Sequence, residues 1–157
     1  MNQLSGIVEK YLHRSDHERR EMVGRNIWTF AVLVKELLAP NKFDWKTGKA
    51  VLADVQAFST GEMLKNNGTD EEKADVAQII VLLEERMFKY NMWRCTAATR
   101  ELSSPGSFNR DKLSKTHAEV VDIAESDWLN EHGTAKQRRD VERLLDQLES
   151  LNTASCG

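Results

Sequence analysis

Glu9, His13, His17 and Glu21 recur at steps of four in the stretch EKYLHRSDHERRE, residues 9–21. Residues four apart stack on one face of a helix, so two imidazoles and two carboxylates fall in a row. Such nitrogen and oxygen donors suit zinc, iron or manganese, provided further ligands complete the shell. The direction of the row decides against that use. At roughly 100° per residue, Leu4, Ile7, Val8 and Tyr11 gather on one side, with Glu9 and His13 nearly opposite. Di-metal carboxylate sites face a bundle interior and draw Glu-x-x-His units from other helices. No acid stands at that spacing before His117 or His132. Arg14, Glu18, Arg19, Arg20 and Arg25 mix with the acids, as on a solvated helix face. No metal and no cofactor is expected.

Arg110 and His117, in RDKLSKTH, are seven residues apart and so share a face two turns long. Leu113, Val120, Ala124 and Trp128 are expected on the same face. An arginine can hold a phosphate and a histidine can move a proton, which is the chemistry of RNA cleavage. Over these eight residues, Arg110, Asp111 and His117 resemble the motif of HEPN-type ribonucleases. The resemblance implies an all-helical ribonuclease that sets two such motifs at a dimer interface. Read as a helix face alone, the pair is a hydrogen-bonded core or interface histidine with Arg110 snorkelling at the helix start.

The third group is YNMWRC, residues 90–95. Arg94 falls in the middle of the long apolar stripe marked by Val76, Leu83, Met87 and Tyr90, so it is expected to be buried and paired with a carboxylate or carbonyl. Met92 and Trp93 point off that stripe. Large apolar groups on more than one side mean either a central helix, core packing being the more common explanation, or a contact surface. Tyr90, Met92, Trp93 and Arg94 are residue types enriched at protein interfaces and form the candidate partner-binding set. Arg14, Arg19, Arg20 and Arg25 form an alternative, local nucleic-acid set. The formal net charge of -3 argues against a general nucleic-acid binder, which needs a basic face to displace counterions, but charge can be segregated locally. There is no glycine-rich phosphate loop, no G-x-S-x-G and no H-E-x-x-H. The paired acids of LLEERM lack a second acidic pair at suitable spacing, and catalysis is not the favoured role.

The elements that must position these groups are helices. Periodicity is helical almost throughout, with no sustained alternation. The chain has 157 residues, 40% hydrophobic and 30% charged, enough for one globular domain over 1–157 with a frayed tail at 152–157. The expected fold is an all-α single-domain bundle of five or six helices joined by short connections. The run IWTFAVLV at 27–34 covers every side of a helix and is expected to be a buried central one ending at Ala39-Pro40. A helix over about 44–58 follows. NNG at 66–68 is a stop, with Gly68 suited to a left-handed cap. Thr69 with Glu72 reads as a capping box opening a helix to Leu102, and SSPGS at 103–107 as a loop. A helix over about 109–132, capped by Gly133, and a last one opened by Thr134 and Gln137 complete the chain.

Cys95 and Cys156 form no CxxC unit, IWTFAVLV is too short to span a bilayer, and no signal peptide is visible. A reduced, cytoplasmic setting without membrane insertion is expected. The favoured function is non-enzymatic: an adaptor, regulator or assembly factor that binds another protein or itself, a homodimer included.

Overall fold

Polar caps mark most of the helix starts in the computed structural model, which describes residues 3–12 and 18–156, with side chains at 3–12 and 22–154. Asp44 accepts the Thr47 N–H at 2.8 Å and the Thr47 hydroxyl at 2.6 Å. Thr69 and Glu72 form the expected reciprocal box: Thr69 N–H donates to Glu72 Oε1 at 2.8 Å, and Glu72 N–H to Thr69 Oγ1 at 3.1 Å. Thr134 and Gln137 repeat it at 2.9 and 3.1 Å. Among the described residues the elements are α1 (Gln3–Leu12), α2 (Glu18–Leu38), α3 (Trp45–Thr60), α4 (Glu62–Asn67), α5 (Asp70–Leu102), α6 (Arg110–Ala124), α7 (Asp127–His132) and α8 (Ala135–Cys156), with no strand.

The fold is all-α, as expected, but with eight helices among the described residues in place of five or six. Gly61 separates α4 from α3. The single helix expected over 109–132 is broken because Ser126 acts as a new N-cap, its hydroxyl accepting the Leu129 N–H at 3.3 Å. Gly68 is extended (φ -81, ψ 143), not left-handed. A Cβ there would lie 2.5 Å from the Leu64 carbonyl oxygen, so close approach, not backbone conformation, demands glycine. α2 is not buried all round: Ile27, Ala31 and Val34 are inside, while Thr29 and Leu33 are exposed. α8 continues to Cys156, through the segment expected to fray.

The chain divides into two compact units, residues 1–87 and 88–157, and the boundary falls inside α5. In the first unit, Leu4, Ile7 and Tyr11 of α1 pack with Val23, Ile27 and Val34 of α2, Val55 of α3, Leu64 of α4, and Val76, Ile79 and Leu83 of α5. In the second, Phe88, Cys95 and Leu102 of α5 pack with Leu113 and Val120 of α6, Trp128 and Leu129 of α7, and Val141, Leu144 and Leu148 of α8.

A polar clasp fastens α1 to α5 in the first unit. Lys10 Nζ lies 2.8 Å from Glu71 Oε1 and 2.9 Å from Asp75 Oδ2, and the Tyr11 hydroxyl donates to Asp75 Oδ2 at 2.6 Å. Asp75→Ala removes the acceptor that Lys10 and Tyr11 share, and is expected to cost about 1 kcal/mol in urea denaturation. The Glu71 hydrogen bond, followed by Asp75, raises the Lys10 pKa above its ordinary 10.5. Because the folded value is raised, this contribution is fully present below the ordinary lysine pKa and is lost as pH climbs through the raised one.

Candidate functional site

The second half of α5 turns one row inward and another outward. Phe88, Cys95, Thr99 and Leu102 are buried at helical spacing. Trp93, Thr96, Ala97 and Arg100 occupy the opposite side and are exposed, Trp93 by 68%. Met92 packs partly against the second core. The Tyr90 ring is half-buried, its centroid 6.1 Å from that of Trp93.

Arg94 departs from expectation. Its side chain is 45% exposed, not buried, because the inward row of α5 passes through Cys95 and Thr99 instead. A carboxylate does meet it: Nη2 lies 2.8 Å from Glu119 Oε2 of α6. The Glu119 hydrogen bond raises the arginine's pKa. A half-exposed pair of this kind contributes little to stability, about 0–1 kcal/mol. The same carboxylate oxygen is 3.5 Å from Cys95 Sγ. Burial, and then Glu119, push the Cys95 thiol up to about 11. Glu119→Ala is expected to lower the thiol's pKa while burial keeps it above the ordinary cysteine value. In a Cys156→Ser background, thiolate ultraviolet absorbance followed against pH reads this.

Trp93 stands between two grooves. One, of about 410 Å³, lies between α5 and α8 and is lined by Met92, Trp93, Ala97, Arg100, Arg143 and Leu144 among others. The other, of about 570 Å³, lies between α5 and α6. Its bases Arg94, Lys112 and Lys115 face the acids Glu101, Asp111 and Glu119. Two of these bases are held in ion pairs, Arg94 with Glu119 at 2.8 Å and Lys112 with Glu101 at 2.6 Å.

The remaining candidates are not drawn into these grooves. Arg110 is exposed at the first position of α6. His117 is half-buried two turns on, its Nε2 3.9 Å from Glu149 Oε1 of α8. The buried row of α6 is Leu113, Thr116, Val120 and Ile123, which leaves His117 on its flank and not within it. Trp128, expected on the same helix face, belongs to α7. Of the basic set, Arg25 is exposed on α2, Arg14 lies outside the described residues, and so do the side chains of Arg19 and Arg20. Of the opening row, Glu9 is exposed on α1, while His13, His17 and the Glu21 side chain lie outside the described residues. Among the described residues no group of three or more His, Cys, Asp or Glu could hold a metal ion. No described helix is long and apolar enough to cross a membrane.

Sequence reasoning missed Arg100, Arg143 and Glu119. The first was within reach, because Trp93, Ala97 and Arg100 follow the i, i+4, i+7 spacing of one helix face. The other two become neighbours of Trp93 only through tertiary packing. Comparison with protein-family models, with curated proteins and with solved structures finds no match.

Proposed function

We propose that this chain is a non-enzymatic, cytoplasmic helical protein that works by binding another protein through the face of α5 around Trp93. The observation that carries the reading is the 68% exposure of Trp93. Isolated exposed apolar residues are ordinary on protein surfaces. Trp93 differs in its setting: a groove on either side, the Tyr90 ring beside it and the partly buried Met92 next to it. Large aromatic groups flanked by arginine are what partner proteins bury at the centre of an interface. The free Cys95 thiol is in keeping with a reducing compartment.

Trp93→Ala provides the test. Its exposed ring leaves the core intact, so helical circular dichroism should be unchanged. Capture of the partner from the native host should fall at least tenfold, a loss of about 1.4 kcal/mol in binding. Light scattering on the same pair of proteins separates a second copy from a foreign partner. Undiminished capture by a folded Trp93→Ala protein would refute the reading.

A further inference from the structure

We infer that the α5–α8 groove receives an amphipathic helix of a partner protein, which sets an acidic side chain against Arg100 and Arg143 and an apolar one against Trp93. The proposal rests on the reading of Trp93 as a docking centre and adds the chemistry of the partner to it.

Charge complementarity selects the occupant. Arg100 comes from α5 and Arg143 from α8, both are exposed, and both line the same groove. Among the described residues, no ion pair engages either guanidinium. The acid in the groove, Asp140, is already engaged by Lys136 Nζ at 3.1 Å. In a chain of net charge -3, this leaves two arginines facing solvent beside an apolar floor of Met92, Ala97 and Leu144. A guanidinium accepts a carboxylate through two parallel hydrogen bonds, and the apolar floor strengthens such a bond by excluding water.

A nucleic acid is the less fitting occupant. Its phosphates need a run of unneutralised bases. On the other side of Trp93 they would meet Glu101, Asp111 and Glu119, with Arg94 and Lys112 already spent in ion pairs. The distances favour a helix. Trp93 and Arg100 are seven residues apart on α5, about 10 Å along the axis. A helix lying in the groove presents an apolar anchor and an acid two turns apart over the same span.

Panning the full chain against a displayed library of amphipathic helical peptides tests this. The enriched peptides should carry Glu or Asp two turns from a large apolar residue. Their affinity should fall at least tenfold for Arg100→Glu, for Arg143→Glu and for Trp93→Ala. Replacing the peptide acid by lysine should restore binding to the Arg100→Glu protein. All three positions are exposed, and circular dichroism verifies that each variant is folded. Peptides that need Trp93 but ignore both arginines would sink the acidic partner and spare the docking centre. An absence of any Trp93-dependent peptide would count against both. Salt-sensitive binding of a polyuridine oligonucleotide, lost with the same arginines, would reassign the groove to nucleic acid. Dimerisation of the chain alone, abolished by Arg100→Glu, would reassign it to a second copy.

Discussion

Leu83→Ala is expected to lower the unfolding free energy by about 2–5 kcal/mol. Leu83 has no solvent exposure and belongs to the core of the first unit with Val76 and Ile79 of the same helix. The substitution removes the transfer energy of the lost methyl and methylene groups and adds the cost of the cavity they vacate. The core it belongs to draws on α1, α2, α3 and α4 as well as α5, and a close-packed interior of this kind relaxes only partly around a void. Urea denaturation followed by circular dichroism measures the loss. A change under about 1 kcal/mol would show that the site relaxes freely, against the packing described.

Gly68→Ala is expected to destabilise by about 1–3 kcal/mol, opposite in sign to the usual effect of the exchange. Replacing glycine by alanine at a compatible position gains about 0.4–1 kcal/mol by restricting the unfolded chain. The backbone of Gly68 (φ -81, ψ 143) is open to any residue, so conformation alone predicts a gain. The surroundings reverse it. The added Cβ would meet the Leu64 carbonyl oxygen at 2.5 Å and Leu64 Cδ1 at 2.7 Å. Relief requires breaking the Gly68 N–H to Leu64 carbonyl hydrogen bond, 2.8 Å long, or displacing Leu64 from the first core. Gly6→Ala in α1 is the matched control. Nothing lies within 4 Å of its Cβ position, so that exchange should stabilise by about 0.5–1 kcal/mol. Thermal melts of the two variants should move in opposite directions.

The parts of the fold that could be read from the residues are those set by short-range chemistry. Thr69 with Glu72 and Thr134 with Gln137 cap helices where their spacing says they should, because each box closes within one turn. The break between α6 and α7 was obscured because apolar residues continue through it, from Val120 and Ile123 to Trp128 and Leu129. Only the Ser126 cap marks it. The burial expected of Arg94 failed for a related reason. The inward row of α5 runs Val76, Ile79, Leu83 and then Phe88, Cys95, Thr99 and Leu102. The step of five between Leu83 and Phe88 changes the register of the row, and a stripe extended through Met87 and Tyr90 misses it. That Trp93 lies off the inward row was legible from its place off the stripe, and its ring is exposed. Its grooves were not, since Arg143 and Glu119 reach it from α8 and α6.

The position of Cys95 makes the protein its own stopwatch. Only the thiolate attacks an alkylating reagent, and Cys95 is 1% exposed with its thiol pushed up to about 11 by burial. At neutral pH the closed protein therefore offers the reagent almost nothing at this position. Labelling must wait for the second core to open, and its rate counts how often it does. In a Cys156→Ser background, one reagent added to one tube thus reports the breathing of the second core without any engineered probe. Because Trp93 lies two residues from Cys95, a partner seated on that face and steadying the core beneath it would slow the clock.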